Sequence, residues 1–346
     1  MSAAPTGFGF CVPLFANPGA AFFRTPAWPE LDGPDAVEAA VEAESLGYDS
    51  LWVADHLMHG HDGGILEGWT TLAVIAGRTS RARLGTIHLA QAFRPPQVAA
   101  KQAATLDALS GGRLLFFYDF GYVEAEAAAY GLPLPPPGQR TAQIDEGVDL
   151  IDRLWRADAP LDFEGRFFRT AGAVCRPKPA QRPRPPIWLG EARDDAWCDL
   201  VARRADGWNS APASPARLAE KLDRVRAACA RAGRDPSGLE LSLEIQVLVA
   251  PTERRVREIA RRIAELPPSP RVRALPELVE YVRSDDPRPM HEVVDDWLVG
   301  TPTDVVARLR AYQELGVAHF MLWFLDFPSR HGMRLFAAEV APALRR

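Results

Sequence analysis

The chain has 346 residues, 40 Lys and Arg against 45 Asp and Glu, a net charge of −5, and 47% hydrophobic residues. That length accommodates one large α/β domain or two ordinary ones, and the composition is that of a soluble globular protein rather than a disordered or fibrous one. The acidic balance gives no general attraction to nucleic acid or to anionic membrane.

Glycine and charge patterns divide the chain into short elements. Gly7–Phe15 reads as a strand, Asp35–Gly47 as a helix and Ser50–His56 as a strand. Trp69–Thr79 is helical, Arg83–Ala90 a strand, and Gln97–Ser110 a helix stopped by Gly111-Gly112. Arg113–Gly121 is a strand and Arg140–Trp155 a helix. Leu161–Thr170 reads as a small hairpin turning at Glu164-Gly165. Pro186–Glu191 is a strand, Asp194–Ala205 a helix and Gly207–Ala211 a short strand. Pro215–Ala232 is a helix with Ser214 at its cap. Leu239–Ala250 is a long strand and Glu253–Glu265 an Arg/Glu-rich helix. Thr303–Leu315 is helical, His319–Phe327 a strand, and Met333–Leu344 a closing helix.

Eight near-continuous apolar strands, each followed by at least one helix, imply a parallel sheet buried on both faces. They fit a closed (β/α)8 TIM barrel, one domain over residues 1–346, better than an open sheet. Residues 251–300 read as an insertion before the last βα unit. Within it, the Pro- and Arg-rich Pro267–Pro289 is a candidate active-site lid. The 31 prolines, about 9% where about 5% is usual, gather in this segment, in Pro133–Pro137 and in Pro177–Pro186, so they stiffen the connections.

No apolar run is long enough for a membrane span, and Gly7–Ala16 reads better as a strand than as a signal peptide. The four cysteines are scattered without zinc spacing and read as reduced, buried thiols of a cytoplasmic protein. No metal site is expected. His59 and His61 lie in a glycine-rich loop without typical ligand spacing. A phosphate-cradling glycine loop and a nucleophile elbow are both missing, which disfavours dinucleotide, ATPase and α/β-hydrolase sites.

In a barrel of this kind, chemistry gathers at the C-terminal strand ends. There the sequence places Asp55-His56, Ile87-His88, Tyr118-Asp119-Phe120-Gly121-Tyr122, Gly190-Glu191 with Arg193, Asn209-Ser210, and Trp323 to Asp326. His56, at a strand terminus, is placed for acid/base work near neutral pH. An aromatic mouth suits a flat conjugated cofactor.

These strand ends resemble the bacterial luciferase-like flavin-dependent monooxygenases and oxidoreductases. The likeness runs through Ser45–His56, Arg83–Thr86, Lys101–Leu114, Gly121–Gly131, Pro186–Gly190, Ala205–Asn209 and Val299–Pro302. It implies a (β/α)8 barrel, reduced FMN at the mouth supplied by a separate flavin reductase, O2 as co-substrate, and a homodimer. A subset of the family uses a deazaflavin coenzyme for hydride transfer instead. His56 matches the family's active-site histidine. Ile87-His88 matches a bulged segment, often with a non-prolyl cis peptide, against which the isoalloxazine packs.

Two runs depart from the pattern. Phe117–Phe120 stands where many members are glycine-rich. Gly190–Asp195 lacks the serine donors that many members turn to the flavin phosphate, which leaves Arg193 as the evident phosphate partner. The expectation is therefore a flavin-dependent monooxygenase acting on a small apolar or aromatic molecule. Its expected catalytic residues are His56 and His88. Its expected cofactor site is formed by Asp55, Ile87, His88, Tyr118, Asp119, Tyr122, Gly190, Glu191 and Arg193, with His88 and Tyr118 as pocket walls. Arg271, Arg273 and Arg288 of the lid would meet an anionic substrate or a phosphate. The alternatives are a deazaflavin-dependent hydride-transfer oxidoreductase and a non-catalytic flavin-binding relative.

Overall fold

Eight parallel strands close into a ring because each is apolar on both faces and each is followed by chain that can cover its outer side. The structure, a computed structural model, describes residues 6–121, 123–284 and 286–345. Tyr122, expected in the cofactor site, lies outside those residues. The ring strands are β1 (Gly7–Cys11), β2 (Ser50–Ala54), β3 (Arg83–Ile87), β4 (Leu114–Asp119), β5 (Ile187–Gly190), β6 (Gly207–Ser210), β7 (Glu240–Val249) and β8 (His319–Phe324). Each pairs in parallel with its neighbours in chain order, and β8 closes on β1 with Gly7 opposite His319. This is the (β/α)8 barrel that the sequence implies.

The inside of the barrel is filled by matching large residues to absent ones. Trp52 and Trp188 are fully buried, with ring centroids 5.5 Å apart, and both rings meet His319. Room for them comes from glycines on neighbouring strands. A Cβ on Gly85 would sit 2.2 Å from the Trp52 ring, and one on Gly207 would sit 2.5 Å from Trp188. Burial holds the His319 imidazole well below its usual range, so it is a neutral core residue that bonds Ser50 Oγ at 2.8 Å.

Several elements differ from the sequence reading. The first strand ends at Cys11, although Val12 to Ala16 stay buried. The expected strand Arg83–Ala90 is broken by a cis Ile87–His88 peptide, after which Leu89–Ala90 pairs separately with Tyr118 and Asp119. The hairpin forms from Leu161–Glu164 and Arg169–Ala173. The segment Pro267–Pro289 contains a helix, Pro276–Arg283, and Leu298–Gly300 adds a further parallel strand beside the end of β7. These pieces share a second apolar cluster, in which Val256, Ala260 and Ile263 meet Leu278, Tyr281 and Trp297. The stretch between the two helices is tied to the loop after β1: Ser269 N donates to Pro18 O and Leu275 N to Ala20 O, each at 3.0 Å. All four cysteines are buried and free. Among the described residues, no helix is long and apolar enough to cross a membrane.

The fit of Trp52 against Gly85 makes a stability prediction. Gly85→Ala should destabilise the fold by about 1–3 kcal/mol through overpacking, read as a lower urea midpoint. Gly77→Ala is the control: it lies in the helix Gly68–Arg78, a Cβ there meets nothing within 4 Å, and the midpoint should rise slightly.

Candidate active site

The chain leaves β2 at Ala54, and the next two residues carry the first charges of the mouth. Asp55 accepts both guanidinium nitrogens of Arg94, at 2.7 and 2.9 Å, and the backbone N–H of Ala90 at 2.8 Å. Arg94 also meets Glu67. Burial pushes the Asp55 carboxyl up, and Arg94 pulls it back. This fork ties the end of β2 to the chain after β3.

His56 is oriented by a carboxylate far away in sequence. Its Nδ1 lies 2.9 Å from Glu126 Oε2, on the short helix Glu124–Ala129 that follows β4. The other oxygen, Oε1, accepts the backbone N–H groups of Leu57 and Met58, the latter at 2.7 Å. Burial opposes ionisation of Glu126, but the bonds from His56 and the two amides hold its carboxyl below the usual range. The His56 ring also stacks on His59, with centroids 4.8 Å apart and planes 17° off parallel. Phe15 presents its edge to His59 at 4.2 Å. Burial, then the nearby His56, Arg24 and Arg271, push His59 down to about 3, so it is neutral at working pH.

His88 follows the cis peptide and turns its ring onto Phe117, with centroids 4.3 Å apart. Its Nδ1 is 3.8 Å from Asp119 Oδ2. Burial lowers the His88 imidazole below its ordinary value despite the pull of Asp119 and Glu244. Asp55, His56, His88, Asp119 and Glu126 together line a small cleft, completed by Ala90, Phe93 and Gly121. Four of the residues named from sequence therefore meet in one place.

The others lie around it in different roles. Ile87 ends β3 and is buried. Gly190 closes β5, where a Cβ would come 2.9 Å from Phe117 and 3.3 Å from His88 Nε2. Glu191 has a φ of 67°, and its carboxylate accepts Ala211 N at 2.6 Å and Lys221 Nζ at 2.9 Å, so it serves the β6 side of the rim.

Tyr118 is not a pocket wall. Phe117 and Asp119 face the barrel interior, so alternation sends Tyr118 outward, where it stacks on Phe116 at 5.1 Å and Phe116 in turn meets Trp155. Arg193 is held by Asp119 and lies over Trp197 at 4.1 Å, so its charge already has a partner where a phosphate was expected to supply one. Its Nη1 is buried without a hydrogen bond. Arg288 pairs with Asp286 at 2.6 Å.

One mouth residue escaped the sequence reading. Arg24, on the loop after β1, has a φ of 56° and sends its guanidinium to Glu244 of β7, at 2.7 Å. Its backbone N–H donates to Gln246 Oε1 at 2.6 Å, and the guanidinium lies 5.0 Å from the Trp323 ring centroid. Among the described residues, no cluster of His, Cys, Asp and Glu could hold a metal ion.

The chain is thus a (β/α)8 barrel with a buried His–Glu pair after its second strand and a cis peptide after its third. The model of the luciferase-like monooxygenase family matches residues 20–319, and the chain belongs to that family. Curated relatives include an F420-dependent glucose-6-phosphate dehydrogenase of Nakamurella multipartita, 30% identical over 90% of this chain and 93% of that protein. Another of the same description, from Amycolatopsis mediterranei, is 28% identical over 90% of this chain and 95% of its own. Among solved structures, monooxygenase RslO1 from Streptomyces bottropensis is similar at 25% identity and a TM-score of 0.74, over 97% of this chain and 99% of that one. An F420-dependent secondary alcohol dehydrogenase in complex with an F420-acetone adduct shares the fold, with a TM-score of 0.76 at 21% identity, over 99% of this chain and 100% of that one.

The mouth also contains a titrating group without a cation. Asp326, just past β8, is buried and makes no ion pair among the described residues, and its Oδ2 accepts Gly332 N at 2.9 Å. Burial raises its carboxyl from 3.8 to about 6. The folded state then binds the proton more tightly than the unfolded one. The stabilisation is complete below pH 3.8 and is lost as pH rises through about 6. Asp326→Asn should remove that loss, worth roughly 3 kcal/mol. Melting temperatures of variant and wild type should coincide near pH 4 and separate by a few degrees in the variant's favour at pH 7.

Proposed function

We propose that this chain is an oxidoreductase that moves a hydride between a deazaflavin coenzyme, F420, and a hydroxyl- or carbonyl-bearing substrate. The observation that carries the reading is the His56–Glu126 pair lining the same cleft as His88, next to the kink at Ile87–His88. The run of relatives described as F420-dependent dehydrogenases, 28–30% identical over about nine-tenths of the chain, supports it.

The residues present fit such a coenzyme. The cleft is walled by Ala90, Phe93 and the Cβ-less Gly121, where a side chain would press on Ala90 at 3.3 Å. Beside it, Arg193 Nη1 is a buried donor without an acceptor. The coenzyme supplies a carbon that accepts a hydride.

The chain's part is proton handling and positioning. Glu126 holds His56 through Nδ1, which assigns Nε2 as the basic nitrogen. When a bound alcohol is oxidised to its carbonyl, His56 Nε2 would take the hydroxyl proton, while the C–H hydride is what the coenzyme would accept. The anionic Glu126 stabilises the resulting imidazolium. His59 and His88, held neutral by burial, add no competing positive charge.

Monooxygenation with reduced FMN and O2, the first expectation from sequence, has support from the likeness to RslO1. The F420-named relatives, 28–30% identical over about nine-tenths of the chain, are more alike in sequence, and they favour hydride transfer.

The experiment is a parallel titration with F420 and FMN followed by turnover under nitrogen. F420 should bind, and a substrate alcohol should reduce it without O2 uptake. His56→Ala should lower turnover by about 10²–10⁴ with coenzyme affinity little changed, and Glu126→Gln should fall between it and wild type. FMN binding with substrate-dependent O2 uptake, and no response to F420, would overturn the reading.

A further inference from the structure

We infer that the substrate of this mouth is an uncharged hydroxyl- or carbonyl-bearing molecule, not a phosphate ester, and that the Arg24–Glu244 pair sets this preference. The inference rests on the hydride-transfer reading and narrows its substrate class.

A phosphate ester brings a dianion, and a pocket that selects one offers cations with donors to spare. Here the inward-facing cations already have carboxylates. Arg94 is forked onto Asp55 and also meets Glu67. Arg193 is on Asp119, and its remaining donor, Nη1, is buried and is the one the proposed coenzyme would use. Lys221 is on Glu191 at 2.9 Å and on Ser210 Oγ at 3.0 Å. Arg24 is on Glu244 at 2.7 Å. The acidic groups of this set outnumber its basic ones, because Glu67 shares Arg94 with Asp55 and Glu126 is met by a histidine.

Arg24 reaches from the loop after β1 to a carboxylate inside the barrel, and that partner is buried. The Glu244 side chain is 1% exposed, and its Oε1 also accepts Trp323 Nε1 at 2.6 Å. Turning Arg24 to a substrate anion would leave Glu244 buried beside a second negative charge. The loop holds Arg24 in place as well, through its backbone bond to Gln246 and its left-handed φ. A hydroxyl or carbonyl makes no such demand. The pair presents N–H donors and a carboxylate acceptor side by side, and a neutral polar group hydrogen-bonds to either without separating them.

Arg271 and Arg273 on the rim are exposed and make no ion pair among the described residues. Salt and water screen them, so they steer rather than select.

The test is calorimetric titration of glucose 6-phosphate into coenzyme-free wild type and Glu244→Gln, followed by rates with the F420-loaded wild type on glucose 6-phosphate and on cyclohexanol. Wild type should show no saturable binding of the phosphate ester, whereas Glu244→Gln, which frees Arg24, should bind it at least about tenfold more tightly. On the loaded wild type, kcat/KM should favour cyclohexanol by at least about a hundredfold. Saturable binding of glucose 6-phosphate to wild type would overturn the inference, as would faster turnover of the phosphate ester. The wild-type titration and rates need no variant, so a Glu244→Gln that fails to fold leaves the inference open to refutation. Failure of F420 to bind would count against the hydride-transfer reading and is seen separately, because the phosphate titration is done without coenzyme.

Discussion

A carboxylate buried without a partner costs several kcal/mol, and this mouth buries five of them: Asp55, Asp119, Glu126, Glu244 and Asp326. The architecture of the C-terminal face follows from how each is answered. Arg94 reaches Asp55 from beyond β3, Arg193 reaches Asp119 from beyond β5, and Arg24 reaches Glu244 from the loop after β1. Glu126 is answered by His56 and two backbone amides. Each pairing joins the end of one strand to the loop of another, so the same contacts that neutralise the acids also hold the loops of the mouth together. Asp326 alone makes no ion pair among the described residues, takes a backbone amide from the closing helix, and is pushed up by burial to about 6.

The His56–Glu126 contact stands apart because its cation is conditional. Arginine is always charged, whereas histidine gains its charge only when it takes a proton. A carboxylate fixed at Nδ1 leaves Nε2 as the nitrogen that takes the proton. Alcohol oxidation by hydride transfer asks for a group of this kind beside the carbon that is oxidised. The neutral His59 stacked on its face and the neutral His88 across the cleft keep the demand on one residue.

Much of this was legible in the sequence, and what was not has physical reasons. The barrel was, because eight apolar runs each carry their own start and stop signals. Asp55, His56, His88 and Asp119 were, because a strand's C-terminal end is a position that the sequence states directly. Tyr118 was misplaced although the period of two that makes Phe117 and Asp119 inward makes Tyr118 outward. Arg193 was assigned to a phosphate because its partner Asp119 lies 74 residues earlier, a separation that no local pattern reports. Glu126 was visible only as part of a loop motif, since a helix of six residues has no amphipathic period to mark its buried face. Arg24 lies in a loop without periodicity, but its partners did leave a signal. Ser242, Glu244 and Gln246 place a polar residue at every second position of an otherwise apolar strand, which in a closed barrel marks an inward polar row.

The most direct test of the account is the fate of the hydrogen on the substrate carbon. An alcohol deuterated at the carbinol carbon is turned over with F420 under air, with labelled dioxygen in the gas phase. Hydride transfer with His56 as proton acceptor predicts deuterium on the reduced coenzyme, a carbonyl product free of the label from dioxygen, and no oxygen consumed. Labelled oxygen in the product, with no deuterium on the coenzyme, would contradict it.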